Sequence, residues 1–376
     1  MNILSINMSI DPVRGGGTAD RTVQMSRALA ARGHVCSVLT LDLGITERRR
    51  QELAQSTLIA LPCVWKRFYI PAPKFSAVST AVQNADIVHL MGHWTIINVV
   101  AYYFIRKFHK KYVVCPAGAL PLFGRSRLFK QIFNTLVGTR LIRNAHAHIA
   151  IAKNEFAHYE AYGVPRSSVT HVPNGITPLE RNSSTRDIRA QLKLSEAPYI
   201  LYLGRLNPIK GPDLLIEAFG LIKDQFPKHQ LVLAGPDEGL QATLTLRSQA
   251  LGISNRVHFV GHIGGAEKSE LYSQADLMVI PSRQEAMSIV VLEAGLASTP
   301  VVLTDQCGLN ELQDLRAATV VQVSAQQIAQ GMQVALSNRE TALKGATKLK
   351  QYITEHFLWE TIATKLEALF TSALAR

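Results

Sequence analysis

The sequence contains no Asp-any-Asp triplet, the usual sequence sign of a divalent ion held against a phosphorylated ligand. A bound diphosphate would have to be neutralised by side chains and helix termini, so neither a metal nor another cofactor is expected. Cysteine is scarce: Cys36, Cys63, Cys115 and Cys307 are widely spaced and form no metal-type pair. That speaks against disulfides and suits buried thiols in a reducing compartment. Long apolar runs are missing too. The longest, Thr95 to Ile105, falls well short of the ~20 residues a membrane-spanning helix needs. The start, Met1 to Asn7, has neither a basic segment nor a small-residue cleavage site, so it reads as a first strand, and the expected location is the cytoplasm. There is no zinc-finger spacing, RNA-binding aromatic signature or recognition helix, and nucleic acid is not expected as a partner.

Acidic charge is scarce in the first half. Residues 1–172 hold 21 Lys+Arg against 8 Asp+Glu, a balance of +13, whereas residues 173–376 hold 19 against 20. The basic residues are interleaved with aromatics at Trp65 to Tyr69 and at Tyr102 to Phe108. That pattern suits an anionic membrane surface or a lipid-diphosphate acceptor, with the protein peripheral on the inner face of the cell membrane. The alternative is that Phe104 and Phe108 are core and the cations an ordinary solvated face.

With 376 residues, 47% of them apolar, the chain has material for two cores of ordinary domain size. Short apolar runs at Ile3 to Met8, Val35 to Leu39, Thr57 to Leu61, Ile87 to Met91, Tyr112 to Cys115 and His148 to Ile151 read as strands, with helical patterns between them. The same alternation resumes at Tyr199 to Leu203 and continues through Gln230 to Ala234, Val257 to Val260, Leu277 to Ile280, Val301 to Leu303 and Thr319 to Val323. The fold class is therefore α/β, with parallel sheets covered on both faces. Residues 177–194 are polar and read as a linker between domains at 1–176 and 195–356, with a last amphipathic segment at 357–376. Near the start, Gly15-Gly16-Gly17 lets backbone approach a ligand closely, and Thr18 is placed to cap the helix behind it.

The stretch from Pro281 to Ala294 stands apart, because Glu285 and Glu293 sit there in apolar surroundings. A strand ending at Ile280, a loop to Met287 and a helix from Ser288 to Ser298 put Glu285 just before the helix and Glu293 inside it. Eight residues of such chain rise about 12 Å, too far to share a proton but suited to gripping two hydroxyl-bearing parts of one extended ligand. The amides of Ala286, Met287 and Ser288, with Ile289 beside them, would open the helix toward an anion.

The order Glu285, seven residues, Glu293-Ala294, after Pro281-Ser282 and before Gly295 to Val302, resembles the signature of the retaining glycosyltransferases called group 1 or family 4. The resemblance implies the GT-B architecture, two Rossmann-like domains with parallel sheets facing across a cleft that holds the active site, and a last helix crossing back to the first domain. It implies that Glu285 binds the donor sugar, Glu293 the ribose, and Arg205 and Lys210, in the loop after Leu203, the diphosphate. Gly16 and Gly17 would lie near the donor phosphates. Gly235, Pro236, His262 and Ile263 would hold the base largely through backbone groups, and Gly308 to Glu311 would line the site. His93 and Trp94, at a strand's C-terminal end, are candidates for acceptor contact. The sequence departs from the family at Ala117, where many members carry histidine and some arginine. His93, Arg125 or the backbone at Gly118 would have to fill that place.

The function implied is transfer of a hexose-type sugar from a UDP- or GDP-linked donor to a hydroxyl of a polyprenyl-diphosphate-linked or polysaccharide acceptor in cell-surface glycan synthesis. The alternatives are a nucleotide-sugar-binding or membrane-docking protein without transfer activity, and a nucleotide-sugar epimerase on the same fold.

Overall fold

Short β-branched and apolar runs bounded by turn residues become strands in both halves of the chain. The computed structural model describes residues 1–12, 15–122, 127–178, 188–191 and 197–375. Its strands are β1 (Asn2–Ile6), β2 (Val35–Leu41), β3 (Thr57–Leu61), β4 (Cys63–Trp65), β5 (Ile70–Pro71), β6 (Ile87–Met91), β7 (Lys111–Cys115), β8 (Ala147–Ala150) and β9 (Val169–His171), followed by β10 (Tyr199–Leu203), β11 (Gln230–Ala234), β12 (Val257–Gly261), β13 (Leu277–Ile280), β14 (Val301–Thr304) and β15 (Thr319–Val321). They form two all-parallel sheets, β3-β2-β1-β6-β7-β8-β9 and β12-β11-β10-β13-β14-β15, plus the small hairpin β4-β5. Central strands such as β6 and β13 are buried along their whole length, which is why they read as continuous apolar runs rather than alternating ones.

The chain divides into two units, Met1–Gly175 with Trp359–Arg376, and Ile176–Leu358. In the first, Arg21 is only 1% exposed, and its guanidinium donates to the carbonyls of Pro173 (2.6 Å) and Val172 (3.0 Å) and to Asn174 Oδ1 (3.1 Å). These acceptors offset the cost of burying the charge and tie the helix Gly16–Ala31 to the turn after β9. The helix begins at Gly16, so Thr18 lies within its first turn and donates to the Gly15 carbonyl at 3.0 Å instead of capping it. The helix Trp359–Ala375 buries Trp359, Ile362, Ala363, Leu366, Phe370 and Ala373, a helical stripe that completes the core of this unit. Phe370 lies 5.9 Å from the ring of His89 on β6, and Glu367 pairs with Arg32 at 2.5 Å.

In the second unit, Ile200, Tyr202, Leu231, Leu233, Leu277, Val279 and Val302 pack against Leu215, Phe219 and Met332. Of the expected linker, residues 179–187 and 192–194 lie outside the described residues. The short helix Ile188–Gln191 between them is held to this unit by Arg189, which bonds Gln274 Oε1 at 2.8 Å and the Ala197 carbonyl at 2.8 Å. All four cysteines are free, three of them buried. Among the described residues, no helix is long and apolar enough to cross a membrane.

Candidate active site

In the second sheet, β10, β11 and β12 run one way from the centre and β13, β14 and β15 the other, so the loops leaving β10 and β13 part at the point where strand order reverses. Open parallel sheets bind ligands at such points, beyond the strands' carboxyl ends. Here the two loops are clasped together: the Arg283 amide donates to the Ile209 carbonyl at 2.7 Å, and the Arg283 guanidinium grips both oxygens of Asp213. Gly211 allows this approach, and Gly308 allows the loop after β14 to come as close. A Cβ on Gly211 would lie 2.2 Å from the Pro281 carbonyl oxygen, and one on Gly308 would lie 2.1 Å from that of Ala286, both at positive φ.

Glu285 hangs in this clasp. Its side chain is 9% exposed and receives hydrogen bonds from Ser282 Oγ (2.5 Å) and Ser288 Oγ (3.3 Å), while Lys210 Nζ approaches to 2.9 Å. Ser282 and Ser288 are themselves buried. Thr304 Oγ1 fixes the Ser282 carbonyl at 2.5 Å, and the Lys210 amide is held by Asn207 Oδ1 at 3.0 Å. Burial, reinforced by the Glu285 charge, pushes the neighbouring Cys307 thiol up to about 12 and so leaves it unreactive. Arg205 does not join this pair. It lies 2.9 Å from Glu238, a carboxylate held below its ordinary range by the hydrogen bond from Asn207 at 2.7 Å and by Arg205 itself.

Glu293, within the helix Ile289–Leu296, is a separate station. Lys268 Nζ meets its Oε1 at 2.5 Å and the buried Tyr272 hydroxyl donates to Oε2 at 2.8 Å. Glu285 is held by Lys210, Ser282 and Ser288 and Glu293 by Lys268 and Tyr272, so each carboxylate has its own set of partners. Of the amides expected to open this helix, that of Ser288 is already bonded to the Cys307 carbonyl at 3.0 Å, because the loop after β14 runs alongside. The helix starts one residue later than its sequence pattern suggested, and its leading amides are those of Ile289 and its successors. Gly235 follows β11, with its amide on the Gly261 carbonyl at 2.7 Å, and the Pro236 carbonyl accepts from Leu206 at 2.9 Å. His262, exposed, and Ile263, half-buried, follow β12.

The remaining candidates belong to the first unit. A Cβ on Gly16 would meet nothing within 4 Å, and Gly17 follows it in the helix's first turn. His93 is 1% exposed, which withdraws it from the role of a surface contact for an acceptor. Its Nε2 pairs with Asn134 Oδ1 at 2.9 Å, and its ring packs on Trp94, Phe133 and Tyr162. Trp94 is half-buried and donates to the Ala119 carbonyl at 2.5 Å. Ala117 and Gly118 both take positive φ in the turn after β7. Arg125 lies outside the described residues. Glu155, which the sequence reading passed over, is wholly buried; burial pushes its carboxyl up to about 7, against the opposing pull of the Gly118, Ile151 and Ala152 amides and of Arg21.

The second unit's missed residues are Ser282, Asn207, Glu238, Lys268 and Tyr272. Lys268 and Tyr272 stand four apart in the helix Gly265–Ser273, hence on one face, and that spacing was the available signal.

Comparison with known proteins agrees with this layout. The description Glycosyltransferase Family 4 matches residues 15–178, and Glycosyl transferases group 1 matches residues 184–355. An uncharacterized glycosyltransferase of Methanocaldococcus jannaschii is 30% identical over 57% of this chain and 56% of its own length. A GDP-mannose-dependent alpha-(1-6)-phosphatidylinositol monomannoside mannosyltransferase of Mycobacterium tuberculosis is 28% identical over 55% of this chain and 56% of its own. The chain thus spans about half the length of these curated relatives. The crystal structure of Anabaena HepE in complex with UDP and glucose superposes with a TM-score of 0.80 over 99% of this chain and 100% of that one, at 20% identity, a likeness of fold.

Proposed function

From a chain that belongs to the group 1 glycosyl transferases, with a first half of the Family 4 type, we propose an enzyme that moves a hexose-type sugar from a UDP- or GDP-linked donor to a hydroxyl of a lipid-linked or polysaccharide acceptor in cell-surface glycan synthesis, with retention of configuration. The observation that carries this reading is the Lys210–Glu285 pair, set by two buried serines where the strand order reverses. Glu285 accepts hydrogen bonds from donor-sugar hydroxyls, and Glu293 from the ribose. Lys210, with Arg205 once it turns from Glu238, neutralises the diphosphate as the anomeric carbon–oxygen bond breaks, without a metal. The acceptor oxygen bonds to that carbon on the same face, and its proton passes to the departing phosphate oxygen, so no side-chain base is needed.

The test is a metal-free thermal-shift screen against UDP, GDP, ADP and their sugar conjugates, followed by analysis of the anomeric product. One nucleotide series should stabilise the wild type and lose its effect on Glu293→Ala. If no nucleotide stabilises the protein at saturation, the reading fails. Ala117, where the resemblance implies a histidine or arginine, favours one rival: a nucleotide-sugar binder without transfer. That rival predicts a thermal shift with no nucleotide release in the presence of any acceptor.

A further inference from the structure

β3 is an outer strand of the first sheet: among the described residues only β2 pairs with it, in parallel from Ser37↔Thr57 to Leu41↔Leu61. Its other side is a row of amides and carbonyls, a ready template for a further strand. Edges of this kind are ordinarily blunted by charge, proline or a bulge. Thr57-Leu58-Ile59-Ala60-Leu61 has none of the three.

Two features flank this edge, one at each end. At the amino end, a groove of about 590 Å³ lies between the helix Phe75–Asn84 and the first residues of β1, β2 and β3. Val35, Ser37, Thr57, Ile59, Ala77 and Ala81 are among its walls, and no residue that lines it is charged. At the carboxyl end, the chain passes from Leu61 into the hairpin β4-β5. Its root is fixed by the Cys63 amide on Asp42 at 2.9 Å and by the Ala72 amide on the Pro62 carbonyl at 2.7 Å. The hairpin holds Trp65 and Phe68 in solvent, 55% and 54% exposed, with ring centroids 4.8 Å apart. An aromatic pair presented on an anchored turn gains free energy by entering an apolar socket.

The order of these features along β3 selects the occupant. Two copies of β3 paired antiparallel about a two-fold axis at Ile59 set Leu58 opposite the other copy's Ala60 and Thr57 opposite its Leu61. The carboxyl end of each strand then lies beside the amino end of the other, which brings each hairpin alongside the other copy's groove. Trp65 is four residues beyond Leu61, within ~14 Å of extended chain. One chain thus carries both halves of the contact in the order an isologous pair requires, whereas an unlike partner would leave one half unused. The excess positive charge of the first half does not oppose the pairing, because neither the strand nor the groove carries charge.

We propose that the protein forms a two-fold dimer in which the β3 strands join the two first sheets into one and Trp65 and Phe68 of each copy occupy the groove of the other. The dimer involves neither donor nor acceptor, so it stands apart from the transfer reaction.

Sedimentation velocity of the full chain over a range of concentrations tests this, with a short bis-maleimide cross-link of Ile59→Cys reading the register. The cross-link is made in a Cys63→Ser background, because the other three cysteines are buried. The wild type should show a monomer–dimer equilibrium. Ile59→Cys should be captured as a covalent dimer, since residues facing each other across an antiparallel pair have Cβ atoms about 4.5–5.5 Å apart. Trp65→Ser with Phe68→Ser, in the exposed hairpin and checked for an unchanged thermal melt, should weaken the dimer by at least ~30-fold. Ile59→Lys, which sets two ammonium groups face to face, should leave only monomer. A wild type that stays monomeric at its highest soluble concentration overturns the proposal. So does a dimer that survives both variants, or one in which Ile59→Cys is not captured.

Discussion

At the scale of single residues, the candidate site is governed by which cation faces which carboxylate. Lys210 is 26% exposed and Glu285 9%, so this pair lies in a partly water-excluded place where, on the proposed reading, the ammonium would act strongly on developing phosphate charge. Lys210→Ala and Glu285→Gln should each lower turnover by about 10²–10³-fold, a loss typical of removing one preorganised charge or hydrogen bond. Initial rates of nucleoside diphosphate release, with a circular-dichroism melt as the folding control, check this. Arg205 and Glu238 behave differently. At 48% and 40% exposure the pair contributes little to stability, so Arg205→Ala should leave the melt unchanged within ~0.5 kcal/mol while weakening nucleotide affinity in calorimetry. Unchanged affinity would remove Arg205 from the diphosphate site.

At the scale of elements, loops and helices are placed by close approach. Gly308 sits at φ +75 with the Ala286 carbonyl where a Cβ would be, so Gly308→Ala must shift the loop after β14 against the loop that carries Glu285. The expected cost is about 1–3 kcal/mol, with lost activity, read by urea denaturation alongside the rate assay. The helical run 127–143, whose Phe133 and Asn134 pack on His93, carries a pH signature through that ring. Burial lowers the pKa of that imidazole from 6.5 to about 4, against the opposing hydrogen bond to Asn134. Between those two values the unfolded chain takes up a proton that the folded one refuses, so stability falls as pH drops through the window, by up to ~1.4 kcal/mol per pH unit. Denaturation curves across this range should be flatter for His93→Gln than for the wild type. Equal slopes would mean that the ring titrates alike in both states.

At the scale of the whole molecule, the chain's last helix belongs to the unit that contains its first strand. Phe370 is fully buried beside His89, and Phe370→Ala should cost the first unit about 3–5 kcal/mol. On the proposed reading, a nucleotide held through Glu293 would load the second unit instead. At a hundred times its dissociation constant it should add ~2.7 kcal/mol to that unit's stability. Scanning calorimetry of the intact chain should therefore show Phe370→Ala lowering one transition and nucleotide raising the other. A single transition that moves under both perturbations would show that the two units unfold together.

The α/β class, the strand positions of both sheets and the group 1 signature around Glu285 and Glu293 were legible in the chain itself, because they rest on local patterns: apolar runs of three to six residues, glycine and proline punctuation, and one spaced motif. Thr18 and Ser288 show where local patterns give out. A threonine behind glycines looks like a cap, and an amide at a helix start looks available, but the helix began earlier in one case and the Cys307 carbonyl took the amide in the other. Tertiary structure alone decided that Lys210 meets Glu285 while Arg205 turns to Glu238, that Lys268 and Tyr272 close on Glu293, and that His93 is buried against Asn134. The reason is physical. Strand and helix periods are encoded within a few residues, whereas a buried hydrogen bond or ion pair goes to whichever group the strand order brings within about 3 Å, and those groups lie far apart in the chain, 75 residues for Lys210 and Glu285 and 153 for Arg21 and Asn174.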